Sequence, residues 1–458
     1  MNTVKTLLNK PTTPVRTLAE LNARAVHNTK TRTLTHSQGR IVVLGSGWAG
    51  FKFMKDLSRK DYEVTVVSPR NYFVFTPLLA STSVGTLEFR CATEPVRGYS
   101  HNIDYHQAWC DKIDIENQVV HCTSNLDDNK GSPFTLDYDK LIISVGSYSN
   151  TFGIPGVKEH GLFLKDIQDA RKIRARFEYA AQPGLSDKEK SEKLHFAVVG
   201  GGPTGVEFSS ELHDFISEDL SRLYPQLMAH TRMTLYDVAP QILGTFDQNL
   251  SAYATRKFAR RGIQIKTGRQ VLEVMKDRLI VKDDGEVPFG MLVWSTGLMQ
   301  NPLVESCQNA LKDAHSHRLM TDSYLRVLAK DGQGVLPNIY AMGDCATIKD
   351  HDLPATAQVA QQKAQYLGDV FNKAAKNGLD TEVPEFSFHN RGSMAYIGSW
   401  EAVVDMTPVH KKASEGGHLA WFFWRSAYLS MSVSFRNKML IPMFWFLTWM
   451  SGRDITKF

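Results

Sequence analysis

The sequence predicts an α/β protein in which two strand-glycine-helix units of the same kind are nested one inside the other. Three observations carry this. Four apolar residues run into Gly45-Ser46-Gly47-Trp48-Ala-Gly50, the arrangement recurs at Gly200-Gly-Gly202-Pro203-Thr204-Gly205, and a later strand ends in Gly343-Asp344. The 458 residues allow two or three domains, and 42% hydrophobic with 22% charged content is that of a chain able to bury a core. Disorder, collagen and coiled coil are excluded as the main state. No eighteen-residue apolar run is present, so an ordinary transmembrane helix is not expected.

Charge is placed unevenly. Residues 1–40 carry seven Lys or Arg against Glu20, a net +6, and residues 416–458 carry a net +4. Of a total of +5, this leaves −5 on the body between. The first 39 residues, basic and rich in Ser and Thr, have the composition of a mitochondrial transit peptide or a disordered arm. Five cysteines without a CxxC pair or metal spacing predict neither a disulfide framework nor a metal site. No nucleic-acid partner is expected.

The first structured segment, Arg40-Ile-Val-Val-Leu-Gly45, has strand character and opens a GxGxxG turn followed by a helical pattern. The three glycines answer three different demands. Gly45 makes the tight turn, Gly47 lets backbone approach a pyrophosphate, and Gly50 lets helix pack on strand, with phosphate at the helix N-terminus. The second unit, from Leu194 to Leu212, repeats strand, glycines and helix, and two such turns in matching contexts predict two dinucleotide sites.

A Rossmann unit places an acid on the ribose at the end of its second strand. Met233-Thr-Leu-Tyr-Asp237 does so, and Asp237 would favour NAD(H) by accepting from a 2′-hydroxyl and repelling a 2′-phosphate. The equivalent strand of the first unit ends in Ser68-Pro69-Arg70, so ribose contacts there are expected from Ser68 or from backbone. Two apolar strands ending in small-residue turns, at Gly146 and at Thr296-Gly297, would close the nucleotide domains, and Gly343-Asp344 would bring a carboxylate to a cofactor's polyol chain.

That order of motifs resembles the flavoproteins with two dinucleotide-binding domains. The resemblance implies FAD against Gly45, Ser46, Gly47, Trp48, Gly50, Ser68, Pro69, Arg70, Thr76, Gly146, Gly343 and Asp344. It implies NADH against Gly200, Gly202, Pro203, Thr204, Gly205, Glu207, Asp237, Thr296 and Gly297. The helix after Gly50 has no cysteine pair, unlike the disulfide reductases of that superfamily. More specific segments are Gly45-Ser-Gly-Trp48, Ser68-Pro-Arg-Asn-Tyr-Phe-Val-Phe-Thr76, Gly200 to Glu207, Pro354-Ala-Thr-Ala-Gln358-Val-Ala-Gln361-Gln362, Ala395-Tyr-Ile-Gly398 and Trp424 to Met431. From about residue 40 to the C-terminus these resemble the type II, single-subunit NADH:quinone oxidoreductases.

That family implies two-electron transfer from NADH through FAD to a membrane quinone, ubiquinone, without proton pumping. Gln358 and Gln362 would lie beside flavin and quinone, on a helix opening at Pro354. Glu207 would sit near nicotinamide and flavin, relaying or positioning protons, and Trp48 near the flavin, stacking on quinone. Gln361 stands where mitochondrial members often have His, which removes any imidazole role there.

The tail has no acid from residue 416 to 453 and ten aromatics from Trp421 to Trp449. Trp421, Trp424, Tyr428, Met431 and Phe435 fall at helical spacing, predicting one apolar stripe bordered by Arg425 and Arg436. A second uncharged segment runs from Met439 to Gly452 with Pro442 in its first turn. Both predict an interfacial anchor, or a homodimer contact, or both. The expected organisation is an FAD domain of residues 40–153 and 325–385, an NADH domain of 154–324, and a C-terminal membrane-associating and dimerisation α/β module of 386–458. The expected address is the mitochondrial inner membrane, peripherally. Two alternatives remain: a soluble NADH reductase of a small redox protein, and a flavoprotein like apoptosis-inducing factor that acts by binding proteins.

Overall fold

A computed structural model describes residues 39–453, apart from 59, 100–102, 177–184, 378–381, 408 and 410–413. The basic arm and any cleavage site within it lie outside the described residues.

The larger sheet has ten strands around a parallel centre: Val335–Ala341, Lys140–Ile143, Arg40–Leu44, Glu63–Ser68 and Ile103–Asp114, in that spatial order. Ile41 to Leu44 and Leu141 to Ile143 are buried, as expected of parallel strands covered on both faces and rich in β-branched residues. Helix α1 (Trp48–Asp56) follows the first strand and buries Phe51, Phe53 and Met54. A second, five-stranded parallel sheet orders Leu162–Phe163, Met291–Trp294, His195–Val199, Arg232–Asp237 and Gln264–Thr267. Helix α2 (Pro203–Phe215) leaves His195–Val199 with proline at its first position, where a missing N–H costs nothing.

The chain leaves the first sheet for the second and returns, giving the nested architecture. Strand Leu319–Thr321 already pairs with Ala346–Ile348 in the larger sheet, so the return precedes residue 325. Helix α3 (Ala357–Asn377) then packs on α1. It begins three residues after Pro354, which lies in the irregular stretch leading up to the helix.

The C-terminal module is an antiparallel sheet, Ser393–Gly398, Glu401–Asp405 and Ser414–Gly417, carrying helices α4 (His418–Met431) and α5 (Phe435–Ser451). Three expectations about this tail are corrected. Phe435 opens α5 rather than continuing α4, because Ser432 ends one helix and Ser434 caps the next through Asn437 N–H at 3.1 Å. Pro442 lies in the interior of α5, not in its first turn. The stripe of Trp421, Trp424 and Tyr428 turns inward: Trp424 is buried, and its ring meets Tyr396 at 5.4 Å and Tyr428 at 4.9 Å. Met431 and Phe435 of that stripe are exposed, together with Leu419, Phe422, Phe423, Met439, Met443, Phe446, Leu447, Trp449 and Met450. Among the described residues no helix is long and apolar enough to cross a membrane.

Candidate active site

The two glycine turns have matching geometry. Gly45 and Gly200 adopt φ of +99° and +116°, which β-carbon-bearing residues avoid. A side chain at Gly50 would collide with the Gly45 carbonyl and Ser144 Oγ, and one at Gly205 with the Gly200 carbonyl and Ser295 Oγ. Gly47 and Gly202 differ, since nothing lies within 4 Å of a β-carbon placed there. Open space over the middle glycine of each turn, at the N-terminus of a helix, is the cradle a pyrophosphate requires. Pro203 and Thr204 sit at the mouth of the second cradle, both exposed.

Around the first cradle, Ser147 Oγ donates to Asp344 Oδ2 at 3.0 Å, and the half-buried Lys165 donates to Ser147 Oγ at 3.0 Å and its carbonyl at 2.9 Å. Burial pulls the Lys165 ammonium below its ordinary pKa. Gly146 and Gly343, at φ of +69° and +79°, form the turns beside them. Ser68 is buried, and its hydroxyl accepts from that of Ser46 at 2.9 Å. Pro69 offers its carbonyl to Asn125 Nδ2 at 2.9 Å, and Arg70 pairs with Asp166, which also accepts from Tyr72 at 3.0 Å.

Trp48 is held rather than loose. Its indole N–H donates to Thr76 Oγ1 at 3.0 Å, and its ring packs edge-on against Phe73 at 5.0 Å and tilted against Phe75 at 5.3 Å. Gln358 and Gln362, one turn apart on α3, clasp the segment before Ser393. Gln358 donates to the Gly392 carbonyl at 3.2 Å and accepts from Arg391 N–H at 3.1 Å. Gln362 does the same with His389, at 2.9 and 3.0 Å. Each side-chain amide thus both donates to and accepts from the backbone of that segment.

In the second unit Asp237 Oδ1 accepts from Ala239 N–H at 2.7 Å while Oδ2 accepts from Gly201 N–H, tying the acid to the glycine turn. Gly297, at φ +74°, follows Thr296 beside Phe152 and Asn150. Glu207 is buried one turn into α2, where Oε1 accepts from Tyr396 N–H at 3.1 Å and Trp424 Nε1 at 3.0 Å. Burial outweighs these hydrogen bonds and pushes its pKa up to about 8.

Glu207 heads a row that sequence reasoning missed. Glu211 and Asp214 follow at i+4 and i+7, and both are buried. Glu211 accepts from Ser81 at 2.6 Å and Thr86 at 2.8 Å, and Asp214 accepts from Tyr396 OH at 2.6 Å, from Ser399 N–H and from Arg261. Their helical spacing was the available signal. Lys363 on α3 is buried, with Cys345 and Asp344 among the groups that raise its pKa against the larger effect of burial, which pulls it down to about 8. Nothing in the tail's stripe indicated that Trp424 would cap Glu207.

Residues 39–364 match the family described as pyridine nucleotide-disulphide oxidoreductase, and residues 390–454 match the NDH2 C-terminal domain. A probable NADH dehydrogenase of Dictyostelium discoideum is 42% identical over 92% of this chain and 91% of its own. A mitochondrial internal alternative NAD(P)H-ubiquinone oxidoreductase of Solanum tuberosum is 39% identical over 93% of this chain and 89% of its own. The solved NDH2 of Plasmodium falciparum in complex with NADH superposes with a TM-score of 0.84 at 29% identity, covering 92% of this chain and all of that one. Two cradles in nested sheets, followed by the matching C-terminal domain, therefore assign the chain: it belongs to the pyridine nucleotide-disulphide oxidoreductase family, and within it to the type II NADH dehydrogenases.

Proposed function

We infer that this protein is an NADH:ubiquinone oxidoreductase with FAD as its prosthetic group. The observation that carries this reading is the pair of open-centred glycine cradles joined to an NDH2 C-terminal domain. Gly45, Gly47 and Gly50 with Asp344 fit FAD, and Gly200, Gly202 and Gly205 with Asp237 fit NADH. Bound FAD supplies the two-electron carrier between nicotinamide and quinone.

The chain's own residues position and exclude. The first turns of α1 and α2 offer N–H groups and positive dipole ends to pyrophosphates. Trp48, fixed by Thr76, walls the first cradle, and Gln358 and Gln362 hold the 389–392 segment in register while each keeps an amide hydrogen for a carbonyl oxygen. Glu207, with its pKa near 8, can hold or release a proton at neutral pH.

The reading extends to membrane association, homodimerisation and the inner mitochondrial membrane. An acid-free tail whose Phe435, Leu419 and Trp449 are 79%, 71% and 66% exposed supports the first. A patch of that kind also suits a second copy. The mitochondrial relatives and the basic N-terminal arm support the address. The deciding experiment is to purify the chain, record flavin absorbance, add NADH, and follow oxidation with and without a short-chain ubiquinone. Flavin should bleach with NADH and recover with quinone. A flavin that stays oxidised under excess NADH would rule the reading out.

A further inference from the structure

We propose that the cavity bounded by α2, α4 and α5 binds a phosphate group, and that its ligand is the headgroup of an acidic phospholipid. The cavity encloses about 260 Å³, against the ~30 Å³ that one water occupies. Arg425 on its wall is the reason to look for an anion. Its guanidinium lies among three tryptophan rings, 4.2 Å from the Trp445 centroid, 4.5 Å from Trp421 and 5.6 Å from Trp400. Its Nε is buried without a hydrogen-bond partner, and among the described residues no carboxylate pairs with it.

The other charges lining the cavity have partners, Arg222 facing Asp219 at 3.8 Å. Arg453 pairs with Asp219 at 2.7 Å and Glu218 at 2.8 Å, and its Nε donates to Thr86 at 2.9 Å. Glu211 is held by Ser81 and Thr86, and burial raises its pKa. Burial also lowers the Arg425 pKa, to about 10, which still leaves it a cation at neutral pH. Glu211 pulls on Arg425 electrostatically without forming a salt bridge to it, and the ring faces add their own attraction, but a charge held from water without a hydrogen-bonded counter-ion is costly until an anion joins it. Arginine's planar donors suit phosphate oxygens in particular.

The rim decides between a lipid and a free anion. Trp449 and Met450 line the cavity and are 66% and 61% exposed, so a headgroup inside would leave its acyl chains along the apolar outer face of α5. This rests on the membrane-associating reading of the tail, and the experiment separates the two.

With the FAD-loaded full chain, tryptophan fluorescence is titrated with dihexanoyl phosphatidylglycerol, which is soluble below its micellar concentration, and with inorganic phosphate. A saturable change is expected with both, at least tenfold tighter for the lipid. Arg425→Gln should abolish it and Arg425→Lys should retain part of it, with flavin absorbance checking that each variant folds. No saturable change, or a Gln variant that titrates like the parent, overturns the site. Equal affinity for phosphate keeps the phosphate chemistry and overturns the lipid assignment. Sedimentation with phosphatidylcholine vesicles, with and without phosphatidylglycerol, reads membrane association independently. Failure there alone sinks the membrane reading and leaves the titration to judge the cavity.

Discussion

Trp424 donates its indole N–H to Glu207 at 3.0 Å across 217 residues of sequence, joining the C-terminal module to helix α2 of the second dinucleotide unit. The same carboxylate oxygen accepts from Tyr396 N–H, so two groups of the C-terminal module meet at one acid. Whatever loosens that module is therefore felt at Glu207.

Ionisation of Glu207 should be visible in stability. Its pKa in the folded chain, about 8, lies above the ordinary 4.5, so the folded state binds this proton more tightly than the unfolded state does. Stability conferred by the neutral carboxyl is complete below about 4.5 and is lost as pH rises through about 8. Glu207→Gln keeps an oxygen for Tyr396 and Trp424 but cannot ionise. Its melting temperature relative to the parent should rise by several degrees between about pH 5 and pH 9, since ~1 kcal/mol moves a large domain by about 2–4 °C. A difference that stays flat across this range would contradict the shifted ionisation.

The glycines separate packing from ligand approach. Gly205→Ala forces a β-carbon onto the Gly200 carbonyl and Ser295, and should disorder the second unit. Gly202→Val meets open space and should fold normally, while occupying the volume assigned to pyrophosphate. Flavin content and melting temperature should fall for the first variant. The second should keep both and raise KM for NADH at least tenfold. An unchanged KM would place the nucleotide elsewhere.

Cofactor choice should rest on the charge of Asp237. Asp237→Asn retains an oxygen for the Gly201 or Ala239 N–H but removes the repulsion toward a 2′-phosphate. The ratio of kcat/KM for NADPH to that for NADH should increase about tenfold or more, corresponding to ~1.4 kcal/mol. If the ratio holds steady while both activities drop, Asp237 only braces the turn.

How far these relationships can be read from sequence follows from their range. The glycine turns were legible because the geometry they satisfy is local: Gly45, Gly47 and Gly50 lie within one turn and its helix. The tail's stripe was legible as a pattern but not in direction. Helical spacing puts Trp421, Trp424 and Tyr428 on one side of α4, yet which side faces the body depends on Glu207 and Tyr396, far away in the chain. Arg425, read as a border of the stripe, is drawn among Trp400, Trp421 and Trp445 for the same reason. Likewise, the place of Ser68 at a strand end was legible, but the hydrogen bond it accepts from Ser46, 22 residues away, was not.

The outer face of the tail yields the last prediction. Phe422, Phe423, Phe446 and Trp449 are 65%, 49%, 56% and 66% exposed, so little folding energy depends on them. In contact with a bilayer each would bury apolar surface at roughly 25 cal/mol per Å², which makes four such side chains worth several kcal/mol of binding. Phe422→Ser with Phe446→Ser and Trp449→Ser should thus leave the melting temperature and short-chain quinone reduction close to the parent. Partition onto vesicles should fall by a factor of ten or more. The reverse pattern, with vesicle binding kept and subunit association lost on analytical ultracentrifugation, would assign this face to a second copy of the chain instead of to lipid. Trp424→Phe is the matching control: it removes the hydrogen bond to Glu207 from inside, and should lower stability while leaving vesicle partition unchanged.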